Sequence, residues 1–407
     1  MKTLANPSRW SRPRLRPVWF LVFATVIYFC STLIPIAVQT ARDSDWRSYF
    51  VKDSMHYYVI AQQFASGNFS MDYLKGWPYR QPLLPACIAA ILKLTADNLF
   101  AVRLFNVLVV GATGFLIYWI IHRLHDEEIS AVAVSILFVL SPFTYDHTVH
   151  WLVTEPLHLG LMVCAIALLL EYLSKRTFAS LFLLTVVLAL DYLNRTNGLF
   201  LSTSAFVIVG ASELFRGWRN PEVSLPSALA GAVVRTFLAV LIWALLTLPS
   251  SWPRWVYFHN PTYFGAIQNF VWGSGYLQAL DSPKQLTAAD YFQNHTIFDA
   301  IARFLLGSWK VFVIYPPWKE IVPVLYLASL GGIIISWRER LIEYRWLLAF
   351  YLLQMLPLAW TQPVNTTPRI PYAATQPFEL FFAAFCFHRL LLWYQQRSRA
   401  SHLAATV

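Results

Sequence analysis

A chain of 407 residues with 57% hydrophobic and only 13% charged residues is not a water-soluble globule, in which about a quarter of residues are charged. The formal net charge of +10 comes without a basic stripe interleaved with aromatics, which excludes a nucleic-acid binder. Apolar runs of roughly 18–20 residues recur along the whole length, each long enough to cross a ~30 Å hydrocarbon core, so the composition is that of an all-α polytopic membrane protein.

The first run covers about 18–38, behind the arginine-rich start "RWSRPRLRP", which holds the N-terminus in the cytoplasm by the positive-inside rule. A first outer loop of about 40–98 follows. It contains "VKDSMHYYVIAQQFASGNF" (51–69), where Tyr57, Ile60, Ala61 and Phe64 mark one helical face and Gly67-Asn68 marks the end. It also contains "GWPYRQPLLPACIAAILKL", too short and too proline-marked for a full span and therefore read as re-entrant or interfacial. Further spans are expected at about 99–121, 129–143, 153–171, 177–193, 198–215 and 228–249. A second large outer loop, about 250–308, precedes spans at about 311–336, 345–361 and 372–394. The reading is about ten spans with juxtamembrane helices in the first outer loop, one transmembrane domain over 1–407, and both termini cytoplasmic. The 17 tryptophans and 20 tyrosines suit interfacial aromatic belts. Cys30, Cys87, Cys164 and Cys386 fall in apolar segments without metal-ligand spacing and read as small buried residues.

Candidate functional groups gather on the expected outer side. Asp53 heads the first amphipathic helix, where an acid serves as an N-cap or as a fixed catalytic carboxylate. Glu155, in "HTVHWLVTEPLHLG", lies in a first turn behind Thr154 and ahead of Pro156. There it complements the helix dipole or serves function as an ionisable group within a span. Arg80, Arg195 and Arg369 are each either headgroup-seeking arginines or clamps for a phosphate. Asp146, His147 and His150 could offer three donors to a divalent metal, although interfacial polar residues are the commoner reading of such a pattern. The sequons at Asn68, Asn194, Asn294 and Asn365 all fall on the outer side.

In this order the residues resemble the GT-C superfamily of membrane glycosyltransferases that use polyprenyl-phosphate sugars, nearest to the branch of protein O-mannosyltransferases and the lipid A aminoarabinose transferase. "DSMHYYVIAQQFASGNF" looks like the family's first-loop acid, aromatic and "IA" helix, with Asp53 at the acid and Tyr57 at the aromatic. "YRQPLLP", Arg103 in "FAVRLFN", Glu155, Arg195 and "PRIPY" follow as the family's later motifs do. Gln81 stands where the aminoarabinose branch carries a phosphate-contacting lysine, with Arg80 adjacent. The resemblance implies a GT-C fold and a catalytic pair Asp53 and Glu155. It implies substrate contacts from Tyr57, His56, Arg80, Gln81, Arg195 and Arg369, and no required cofactor. The implied partners are a polyprenyl-phosphate sugar donor, a lipid, glycan or protein acceptor, and membrane lipids, at a plasma membrane of bacterial type. Two other readings remain: a lipid-linked glycan flippase, and a glycan polymerase or ligase acting through Arg254, His259 and His295 in the second outer loop.

Overall fold

The computed structural model describes residues 15–42, 53–125, 127–144, 152–219, 224–282, 285–315, 323–365 and 369–405, and among them every regular element is helical. In chain order the main helices are α1 (Leu15–Arg42), α2 (Asp53–Ala65), α3 (Leu83–Leu94), α4 (Leu99–His125), α5 (Glu128–Val139), α6 (Glu155–Lys175) and α7 (Phe178–Asn194). They continue as α8 (Gly198–Arg219), α9 (Leu225–Phe258), α10 (Ile297–Trp309), α11 (Pro323–Arg338), α12 (Ile342–Thr361) and α13 (Arg369–Ala405). Helices α4, α6, α8 and α9 are each long and apolar enough to cross a membrane. Shorter apolar helices, α5, α7 and α11 among them, complete the bundle.

Local chemistry sets the ends. Glu127 caps α5 by accepting from the amides of Ile129 and Ser130 at 2.6 and 2.8 Å, satisfying donors that have no helical partner. Thr296 and Asp299 form a reciprocal capping box at the head of α10. The apolar run expected as one span over about 311–336 meets two described helical stretches: the helix begun at Ile297 continues through a π turn, Lys310–Ile314, and α11 covers Pro323–Arg338, with 316–322 outside the described residues. Helix α5 stops at Val139, short of the expected 143 and ahead of Pro142.

One large apolar cluster unites the bundle, from Tyr28 on α1 through Met162, Leu184 and Val209 to Phe350, Phe378 and Phe382. Close helix approach relies on small residues, as membrane packing requires. A side chain at Gly332 of α11 would run into the backbone of Phe382 on α13. A second, separate cluster lies under the 53–98 segment, joining Tyr57, Ile60, Phe64, Leu84 and Ile88 to Val102 of α4 and to Leu152. The bundle end that carries this cluster is called the site end below. The 34 residues of α9 extend about 51 Å, well beyond a hydrocarbon core, and carry the helix up to the site end. Its flank is apolar and exposed at Leu229, Val233, Phe237, Leu241 and Leu248, a lipid-facing surface. Cys30, expected inside, is exposed on α1, and all four cysteines are free.

Candidate active site

Helix α2 forms where the apolar spacing puts it, with Tyr57, Ile60, Ala61 and Phe64 buried against the 53–98 cluster. It ends at Gly67, whose φ of 87° lets the Asn68 amide donate back to the Gln63 carbonyl at 3.1 Å. Asp53 is its first residue, and α3 starts behind the turn Trp77–Pro82. The residue before a proline is disfavoured in the helical region, and Pro78 and Pro82 bracket this turn, which makes it a restricted mount for Arg80. The guanidinium donates from Nη2 to Asp53 Oδ1 at 2.5 Å and from Nη1 to the Tyr57 hydroxyl at 3.0 Å. Nη2 also lies 3.1 Å from His56 Nδ1. The rings of Tyr57 and Tyr79 lie against the guanidinium at 4.7 and 4.5 Å, within cation–π range. A headgroup-seeking arginine would reach for water; Arg80 is buried and is an internal partner of Asp53.

The electrostatics follow. Burial by itself would lower the pKa of Arg80, but Tyr57 and Asp53 beside it more than offset that and raise it. His56, stacked on Trp77 at 4.5 Å, is held below the usual imidazole value by burial and then by Arg80, with Asp53 pulling the other way. Its ring is therefore neutral at pH 7.

Glu155 opens α6 and Arg195 follows the last residue of α7. They pair at 2.7 Å with both side chains buried. Thr154 occupies the N-cap position, but its side chain makes no cap bond. Its carbonyl instead accepts from Asn194 Nδ2 at 3.1 Å. The sequon at Asn194 is thereby closed, since that buried amide is committed inside the protein. One turn deeper, His158 Nδ1 and Asp191 Oδ1 pair at 2.6 Å, both fully enclosed. The two pairs are rungs of one ladder between α6 and α7: positions 155 and 158 share a helical face, and the Arg195 amide, just past the end of α7, donates to the Asp191 carbonyl at 2.8 Å. The Leu152 amide donates to Ser54 Oγ at 3.0 Å. That bond ties the approach to Glu155 to the neighbour of Asp53, so both acids belong to one region.

The last turns of α9 close the site from a third side. Ser250 donates to Gln81 Oε1 at 2.8 Å, and buried Arg254 reaches carbonyls of both loop segments. Sequence reading placed Arg254 with His259 and His295 in a polymerase-like loop site. In the structure His259 is an exposed left-handed residue closing α9, and His295 stacks on Tyr291 at 4.4 Å. The loop has its own buried arginine, Arg303, which donates to the carbonyls of Gly273, Phe270 and Trp360 at 2.7–2.9 Å.

Asp53, His56, Tyr57, Arg80 and Gln81 are thus brought together, with Glu155 and Arg195 adjoining. Arg103 lies in the first turns of α4. Arg369 is the first residue of α13, and its side chain lies outside the described residues, as do Asp146, His147 and His150 entirely. Among the described residues no three His, Cys, Asp or Glu side chains are grouped to hold a metal. Sequence reading missed His158, Asp191, Ser250 and the role of Arg254. The one available signal was charge inside otherwise apolar helices.

Residues 78–243 match the family model of dolichyl-phosphate-mannose-protein mannosyltransferases. No curated protein matches the chain by sequence. Among solved structures the chain is similar to the Archaeoglobus fulgidus oligosaccharyltransferase in complex with Zn and sulfate, at 16% identity and a TM-score of 0.58, over 95% of this chain and 51% of that one. It is similar to the same organism's AglB in complex with an inhibitory peptide and a dolichol-phosphate, at 15% identity and a TM-score of 0.54, over 95% and 52%. ArnT from Cupriavidus metallidurans aligns more loosely, at 12% identity and a TM-score of 0.40, over 91% and 76%. The chain spans about half the length of the oligosaccharyltransferases it matches. The chain thus shares its fold, over nearly its whole length, with these membrane oligosaccharyltransferases, and its segment from the turn before α3 into α9 matches the mannosyltransferase family model.

Proposed function

We propose that the protein is an inverting glycosyltransferase that moves a sugar from a polyprenyl-phosphate donor to an acceptor hydroxyl at the outer face of the membrane. The observation that carries this reading is the Asp53 carboxylate held at 2.5 Å by buried Arg80 on the rim of the bundle. A carboxylate is ionised at pH 7 and serves as a general base once it is fixed within reach of the hydroxyl. The acceptor oxygen attacks the anomeric carbon while Asp53 takes its proton. The bond from that carbon to the phosphate oxygen breaks, and its electron pair leaves with the polyprenyl phosphate. Arg195 and Arg369 neutralise the departing phosphate, Glu155 orients Arg195, and His56 and Tyr57 line the sugar site. We read Arg80 as orienting the base rather than gripping phosphate, a reading supported by the contacts of its Nη atoms with Asp53, Tyr57 and His56. The dolichol-phosphate held by AglB supports the donor class.

One observation favours a second reading. Glu379 is buried inside α13, among the bundle residues Phe378 and Phe381, and an ionisable group at that depth is a mark of transporters. The experiment that separates the readings supplies purified protein with radiolabelled polyprenyl-phosphate hexoses and membrane extract as acceptor. Wild type and Asp53→Asn are compared, with EDTA and then Mg²⁺ or Mn²⁺ restored as separate arms. Label passing to a new product with wild type alone supports transfer and names the base. Equal transfer by both proteins removes Asp53 from that role. Movement of intact lipid across vesicles by both, without transfer, replaces the enzyme by a flippase.

A further inference from the structure

Arg254 is fully buried at the end of an apolar helix, where an arginine without a task is costly, and every bond it makes is to a loop carbonyl or to Ser250. Its Nη2 donates to the carbonyls of Pro78 and of Arg80 itself, at 2.9 and 3.2 Å. Its Nε donates to the Tyr263 carbonyl at 3.1 Å. Its Nη1 donates to the Ser250 carbonyl at 2.9 Å and to Ser250 Oγ. The single Ser250 hydroxyl proton then goes to Gln81 Oε1, which anchors that carboxamide to α9. The two loop segments also meet directly. Gly265 has a φ of 64°, and a Cβ there would stand 2.7 Å from Pro78 Cγ.

We infer that Arg254, with Ser250, is a positioning residue for the transfer reaction: it clasps the 78–81 turn to the end of α9 and so sets where Arg80 holds the Asp53 carboxylate. The inference rests on the reading of Asp53 as the base. Three features single out arginine. Only a planar fork with five donors reaches two carbonyls of one turn, one of the next loop and the serine together. Lysine keeps the charge and loses that geometry. The Tyr263 bond places the start of the second loop on the same fork, so that loop's position and the catalytic turn's position are coupled through one side chain. A base displaced by about 1 Å costs on the order of a hundredfold in rate, while the distant donor tail feels nothing.

The test uses full-length protein in nanodiscs with radiolabelled polyprenyl-phosphate mannose and membrane extract. Arg254→Lys is expected to lower kcat about a hundredfold with KM for the donor within about twofold. Hydrogen exchange is expected to rise at the amides of residues 79–81 and 263–265 and to stay unchanged in α6 and α7. Millimolar guanidinium is expected to restore part of the kcat of Arg254→Ala, which a merely structural role would not allow. Should Arg254→Ala not fold, Ser250→Ala serves in its place, with raised exchange confined to 79–81. Wild-type kcat and wild-type exchange at 79–81 in Arg254→Lys, with Asp53→Asn inactive in the same assay, overturn the clasp and leave the base intact. Full activity in Asp53→Asn overturns the reading beneath it instead.

Discussion

Asp53 and Arg80 meet at 2.5 Å across 27 residues of chain, and their burial is unequal: the arginine side chain is 6% exposed and the aspartate 30%. The pair is therefore built from the cation outward. Arg80 is enclosed by Tyr57, Tyr79 and its turn, and the carboxylate it holds is presented at the edge of the protein. In the proposed reaction this partly exposed position is what a base needs: access to the acceptor and a fixed direction.

Replacing Asp53 by Asn is expected to lower transfer by roughly 10²- to 10⁴-fold, the usual worth of a positioned general base, with Tm little changed because the exposed edge tolerates an amide. Arg80→Lys is expected to lose about 10²-fold, since an ammonium cannot serve Asp53 and Tyr57 in the same plane. Initial rates at saturating donor check both variants.

Glu155 and Arg195 form a buried pair, so removing either charge strands the other. Glu155→Gln and Arg195→Met are each expected to destabilise by about 3–5 kcal/mol. The double variant is expected to lose less than the sum, by about 0.5–3 kcal/mol. Chemical denaturation of the four proteins in one detergent measures the coupling; strict additivity would mean that the two charges are solvated separately.

Burial first, and Arg80 second, depress the pKa of His56 against the pull of Asp53. The folded protein therefore binds this proton less readily than the unfolded chain, and stability tied to neutral His56 is present above about pH 6.5 and lost as pH falls below it. Protonation would also set an imidazolium against the Arg80 guanidinium at 3.1 Å. Wild-type Tm is expected to fall on going from about pH 7 to about pH 5, and His56→Gln to show a shallower fall. Parallel slopes for the two proteins would place the acid sensitivity elsewhere.

At Gly265 both the φ of 64° and the 2.7 Å gap to Pro78 forbid a side chain. Gly265→Ala is expected to cost about 1–3 kcal/mol and to lift the second loop from the 78–81 turn. Tm together with limited proteolysis of the 259–296 segment reads both effects, and cleavage at the wild-type rate would show that the contact is dispensable.

The sequence by itself determined the helical membrane class, the helix at Asp53 and most spans, because hydropathy and the 3.6-residue period are local properties written in consecutive residues. It also located Asp53, Arg80, Glu155 and Arg195 as groups of interest, since charge in an apolar chain is conspicuous, and Tyr57 by its place on the helical face behind Asp53. The π turn at Lys310–Ile314 was not legible in it, because mean hydropathy does not register a change of backbone hydrogen-bond register. Pairings were beyond it. Whether Arg80 and Arg195 seek headgroups or carboxylates depends on which partner the fold brings within 3 Å. Nothing local links Arg254 to a carbonyl 174 residues earlier. The His158–Asp191 contact exists because α6 and α7 pack antiparallel, and Asn194 is closed to glycosylation because its amide faces Thr154. Those outcomes follow from three-dimensional packing, where a buried polar group must find its partner wherever in the chain that partner lies.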